Sequence, residues 1–116
     1  MIRPTGWWWI RHAPVPGREG RLNGRREVDC DTSDQASFRV LAALLPGDAV
    51  AVVSPLKRTR QTRAAIAAAG ARLSEPVVEP DFVEQSFGCW EGLSWTEMQA
   101  RDPEAYAAFW RNPTGN

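Results

Sequence analysis

A surplus of charge of either sign is absent: 14 Lys and Arg meet 14 Asp and Glu across 116 residues, for a formal net charge of zero. A dedicated binder of nucleic acid or of an anionic membrane normally carries a basic excess, so neither partner is expected. Long hydrophobic runs are missing too. The bulkiest, Trp7-Trp8-Trp9-Ile10, falls far short of the roughly 20 apolar residues a membrane span needs. No apolar stretch with a small-residue cleavage site follows Met1, so a cytoplasmic protein is expected. Cysteine is scarce: Cys30 and Cys89 lie far apart with no Cys-x-x-Cys. Neither a disulfide framework nor a zinc site is suggested, and both read as reduced thiols. Histidine occurs once, at His12.

What is present is the composition of a soluble globular chain, 43% apolar and 24% charged, of a length that predicts one domain over 1–116. Residues 7–10 read as a buried strand. After a loop rich in Gly, Pro and Arg, Thr32, Ser33 and Asp34 are good caps for a helix carrying Phe38, Leu41, Ala42 and Leu45 at helical spacing, ended by Pro46-Gly47. Ala49 to Val53 reads as a second apolar strand, with Ser54 as cap and Pro55 at the first position of a helix that runs to Ala69 and stops at Gly70. Val77 and Val78 suggest a third, short strand. Ser94-Trp95-Thr96-Glu97 has the form of a capping box, and Asp102-Pro103-Glu104 opens a last helix. Apolar strands alternating with helices imply an α/β fold, a three-layer α/β/α arrangement on a mostly parallel sheet covered on both faces. In such sheets function collects at the carboxyl ends of the strands.

Three segments at those ends carry chemistry. Arg11-His12 directly follows the first strand. Lys57, Arg58, Arg60 and Arg63 crowd the first turns of the helix after the second, where unpaired amides already carry positive charge and each cation costs about a few tenths of a kcal/mol. A bound anion would offset that cost, and guanidinium forks suit phosphate oxygens. Glu84 follows the third strand in Phe82-Val83-Glu84-Gln85-Ser86-Phe87-Gly88-Cys89-Trp90-Glu91-Gly92. A carboxyl among aromatics is a candidate general acid, with Glu91 as its competitor. Arg18, Arg21, Arg25 and Arg26 in the first loop either steer anionic substrates or are simply solvated.

Together these segments resemble the histidine phosphatase superfamily, the phosphoglycerate-mutase-like enzymes. Arg11-His12-Ala13-Pro14 is similar to its RHG motif with Ala for Gly; Ser54 to Thr62 is similar to its S-x-L-x-R-x-x-Q-T segment, and Glu84 to Gly92 to its E-x-x-F-G-x-W-E-G segment. Within the family the resemblance is greatest to small bacterial alpha-ribazole-phosphatase-like members. It implies a phosphomonoester hydrolase acting through a phosphohistidine on a small phosphorylated metabolite, alpha-ribazole phosphate among the candidates. His12 would be the nucleophile, Arg11 and Arg58 the phosphate-binding groups, and Glu84 the proton donor, with no metal and no cofactor. Two departures stand out. The family's Asn shortly after the RHG motif has no counterpart in Pro16 to Gly20, Asn23 lying later; and the family's second active-site His is absent. Three short strands are also fewer than the usual four to six or so of a sheet. The chain is therefore expected to be the N-terminal portion of such a domain, truncated at its C-terminus. The alternatives are an inactive remnant that at most binds phosphate or a partner protein, and a phosphoglycerate mutase. Oligomeric state is not readable from the sequence.

Overall fold

Helix formation begins where a carboxylate is available to close the helix end. In the computed structural model, which describes residues 4–113, α1 spans Gln35–Leu44. Asp34 caps it by accepting the Ser37 amide at 3.1 Å and the Ser37 hydroxyl at 2.7 Å, satisfying a donor the helix cannot. The helical spacing puts Phe38, Leu41 and Leu45 on one face. Phe38 is buried with Ala13 and Ile66, and Leu41 and Leu45 pack around that cluster. Burying one such aromatic contributes about 1.5–3 kcal/mol.

The two strands are shorter than their apolar runs. β1 is Val52–Val53 and β2 is Val77–Val78, paired in parallel with Val52 opposite Val77 and Val53 opposite Val78. The ladder continues past both, since the Val77 amide donates to Ala51 O (2.9 Å), the Glu79 amide to Val53 O (2.8 Å) and the Ser74 amide to Ala49 O (3.1 Å). The crossover between them is α2, Lys57–Ala68, which packs on α1 and β1. This is the βαβ unit expected of an α/β fold. Helical backbone starts later than Ser54-Pro55 suggests: the N-cap is Leu56, extended and without a side-chain cap bond. Leu56 is buried, and drawing its side chain inward keeps it extended until Lys57. The Ser54 hydroxyl instead accepts the Leu56 amide within the preceding turn. Gly70, at φ +117°, ends the helix as expected.

Residues 7–10 do not form the buried strand the apolar run predicts. No ladder bond reaches them among the described residues, and Trp7 and Trp9 are 64% and 77% exposed. Trp7 and Trp9 stack at 5.9 Å, and Trp9 leans on Phe82 at 6.1 Å. A strand, however, is made by a hydrogen-bonded neighbour, and hydrophobicity alone does not supply one. In the small sheet Val52, Val77 and Val78 are all substantially exposed.

The described residues divide into two units. The first holds the residues before 17 and 27–83, with all the elements above; the second holds 17–26 and the residues from 84 on. In the second, α3 (Trp95–Arg101) opens with the expected capping box: Ser94 Oγ accepts the Glu97 amide and Glu97 Oε2 accepts the Ser94 amide, each at 3.1 Å. Asp102 then ends α3 and caps α4 (Pro103–Arg111) through the Ala105 amide, with Pro103 at the first helical position. Met98 is fully buried. Phe109 on α4 meets Phe87, Trp90, Trp95 and Trp110 at centroid distances of 5.3–6.5 Å, mostly edge to face. Glu97 also takes a two-pronged bond from Arg21, at 3.0 and 3.2 Å.

The Ser94 amide and then the Arg21 guanidinium hold the Glu97 carboxyl below the usual carboxylate range. A carboxyl depressed on folding stabilises fully above its unfolded value and loses that contribution as pH falls through its folded one. Acidification into that range should therefore fray α3, seen as lost helical circular dichroism and Trp95 fluorescence change. Glu97→Gln, with no carboxyl to titrate, should flatten that part of the acid profile; an unchanged profile would refute the assignment.

Candidate active site

The loop after residue 10 and the middle of α2 meet through one hydroxyl. Ala13, buried in the core of the first unit, donates its amide to Thr62 Oγ1 at 2.9 Å, across 49 residues of sequence. The same Oγ1 donates to the Arg58 carbonyl at 2.8 Å, one helical turn back. His12 is thereby fixed beside the basic N-terminal turns of α2. Its Nδ1 lies 2.7 Å from the Ala13 carbonyl. A carbonyl oxygen can only accept, so Nδ1 is the donor, and in the neutral imidazole this arrangement puts the lone pair on Nε2.

Arg58 is 3% exposed, a positive charge held in low-dielectric surroundings, where it acts more strongly than in water. Arg11 is exposed. His12, Ser54, Thr59 and Thr62 line a cleft of about 780 Å³ in the first unit, together with Asp48, Arg63 and apolar walls that include Trp7, Trp9, Ile66 and Phe82. His12, Arg11 and Arg58 thus lie in one unit. Glu84 lies in the other, exposed, its Oε1 accepting the Gln85 amide at 2.8 Å and its carbonyl accepting Arg25 Nε.

Some of the crowded cations are offset within the protein. Glu27 Oε1 accepts the Lys57 backbone amide at 3.0 Å, placing a carboxylate at the helix N-terminus, where the dipole favours one. Asp29 pairs with the Lys57 ammonium at 3.1 Å. Gln61, donating to Asp29 at 2.8 Å, and then Lys57 hold that carboxyl below its ordinary range. Lys57 is therefore not a charge waiting for an external anion.

The Glu84–Glu91 alternative is separated by geometry inside the second unit. Glu91 Oε1 accepts the Arg25 amide at 2.9 Å and the Phe87 amide at 3.4 Å. It braces the loop from both sides, with Gly24 (φ +53°) leaving room for its carboxylate. Arg21 and Arg25 are likewise engaged, with Glu97 and Gly92 O and with Glu84 O. They hold this unit together. Among the described residues no group of three or more His, Cys, Asp or Glu is placed to hold a metal ion.

The description of the histidine phosphatase superfamily, branch 1, fits residues 7–116. The chain belongs to that superfamily. Among sequence relatives, the bifunctional protein Rv2228c of Mycobacterium tuberculosis H37Rv is 47% identical over 107 residues, covering 89% of this chain and 29% of that protein. Among solved structures, TTHB049 of Thermus thermophilus superposes with a TM-score of 0.61 at 33% identity, over 86% of this chain and 55% of the other. An Escherichia coli K-12 protein assigned provisionally as an alpha-ribazole-5'-P phosphatase gives a TM-score of 0.75 at 22% identity, over 89% of this chain and 52% of the other. The chain thus spans less than a third of the mycobacterial relative and about half of each of these solved structures.

For this histidine phosphatase chain, sequence reasoning singled out His12, Arg11, Arg58 and Glu84 but passed over Thr62, Ala13, Cys30 and Gln61 as working parts. The Cys30 amide donates to Gln61 Oε1, and its thiol lies 3.5 Å from Arg58 O and 3.7 Å from Thr62 Oγ1. Only the position of Thr62 one turn after Arg58 hinted at this. Removing the Glu91 carboxylate leaves the Arg25 and Phe87 amides without that acceptor. Glu91→Ala should therefore lower stability by about 1 kcal/mol or more, whereas Glu84→Ala, at an exposed position, should stay within about 0.5 kcal/mol. Urea unfolding of both variants checks the contrast, and equal losses would contradict it.

Proposed function

We propose that the chain carries the nucleophile half of a phosphomonoester hydrolase acting on a small phosphorylated metabolite through a phosphohistidine at His12. The observation that carries this reading is the Nδ1 bond to the Ala13 carbonyl, which in the neutral imidazole leaves the Nε2 lone pair for attack. In this mechanism Nε2 attacks phosphorus in line, the P–N bond forms as the P–O ester bond breaks, and Glu84 gives its proton to the departing alkoxide. Water then attacks phosphorus, Glu84 accepts its proton, the P–N bond breaks and inorganic phosphate leaves. Arg11 and Arg58 offset the charge on the non-bridging oxygens. Charge and positioning supply the catalysis, so the scheme calls on no metal or cofactor.

Alpha-ribazole phosphate is the first substrate to try, following the assignment of the Escherichia coli neighbour. The absence of any His besides His12 favours a second reading, in which the chain alone binds phosphate without turnover. Rapid-quench incubation with an aryl phosphate separates the two. Under the hydrolase reading, an acid-labile phosphoprotein forms and disappears in His12→Ala, and turnover by the chain, or by the chain joined to the C-terminal part of a relative, falls by at least about a hundredfold in that variant. A folded, extended protein that neither turns over nor becomes phosphorylated would defeat it.

A further inference from the structure

We propose that Thr62 is a positioning residue for His12, acting through the two peptide groups that meet at Ala13. The inference rests on the reading of His12 as nucleophile, but its geometry stands independently. A hydroxyl offers one donor and two acceptor sites. Thr62 uses the donor on Arg58 O at 2.8 Å and accepts the Ala13 amide at 2.9 Å. Ala13 in turn presents its carbonyl to His12 Nδ1 at 2.7 Å. Ala13 is therefore held by α2 at its amide, in the peptide group shared with His12, while its carbonyl, in the following peptide group, sets the imidazole's tautomer and direction.

Several features make this a constraint rather than a passing contact. Thr62 is 5% exposed and Ala13 8% exposed, so water cannot readily replace the lost partner, and an unpaired buried amide is costly. Thr62 sits one turn after Arg58, so the same hydroxyl ties the His12 loop to the turn bearing the proposed phosphate-binding arginine. Cys30 does not duplicate it: its thiol is 3.7 Å from Thr62 Oγ1 and directed at Arg58 O. A loop freed from Thr62 keeps its residues but loses the fixed line from Nε2 to the substrate, and misplacement on the order of 1 Å costs about a hundredfold in rate.

His12 is the only histidine, so the imidazole nitrogen signals of the full chain belong to it without further assignment. Nitrogen-15 NMR of the unliganded chain should show the Nδ1–H tautomer in the parent and in Thr62→Ser, and a mixed tautomer population in Thr62→Val, which keeps the shape and drops the hydroxyl. With an aryl phosphate, phosphoenzyme formation should slow by about ten- to a hundredfold in Thr62→Val with little change in KM, and recover in Thr62→Ser. A single Nδ1–H tautomer retained in folded Thr62→Val, or its loss in folded Thr62→Ser, would overturn the proposal. Should Thr62→Val not fold, the Thr62→Ser spectrum decides. A parent chain with the expected tautomer but no phosphoenzyme would count against the hydrolase reading while leaving the tautomer result to judge Thr62.

Discussion

Chain segments 49 residues apart are joined in the first unit by one short bond, from the Ala13 amide to the Thr62 hydroxyl, and much else follows from it. It draws Ala13 into the Phe38 and Ile66 cluster, so the loop after residue 10 is anchored by apolar packing on one side and by a hydrogen bond on the other. It also fixes where His12 can sit relative to α2. Packing alone would leave that loop free to rotate, because the non-directional burial of a methyl group cannot orient a peptide plane. The hydrogen bond supplies the direction and the core supplies the depth.

The charge pattern at the start of α2 shows how the fold meets its own electrostatic demand. Glu27 takes the place of an external anion at the helix terminus, and Asp29 neutralises the Lys57 ammonium. These contacts lie at the surface and contribute modestly to stability. Their larger effect is local: they satisfy the structural demand for negative charge there. Arg58, buried one residue further on, is positive charge in a setting of weak screening.

How much of this could be read from the sequence depended on how local each determinant is. The Asp34 cap, the Ser94–Glu97 box, the Gly70 stop and the Pro103 start were legible because each is settled within a turn of helix by backbone donors and acceptors. The pairing of Val52–Val53 with Val77–Val78 followed from two apolar runs around a helix. Residues 7–10 are unpaired among the described residues because pairing depends on a neighbour that an apolar run does not specify. The late start of α2 is not legible because Leu56 answers to the core rather than to Ser54 and Pro55. At the site, His12, Arg11, Arg58 and Glu84 stood out by motif. Thr62 and the bracing role of Glu91 did not, since both depend on contacts with amides distant in sequence.

Gly24 illustrates a last consequence of the second unit's construction. A methyl group at this position would collide with Glu91 Oε1, so a side chain at 24 would displace the carboxylate at 91 from its place in the loop. Two letters far apart in the sequence are thus linked. In any collection of related chains they should drift together, a larger residue at 24 accompanying a shorter one at 91, and the pair would be a marker of this loop arrangement that no short motif contains.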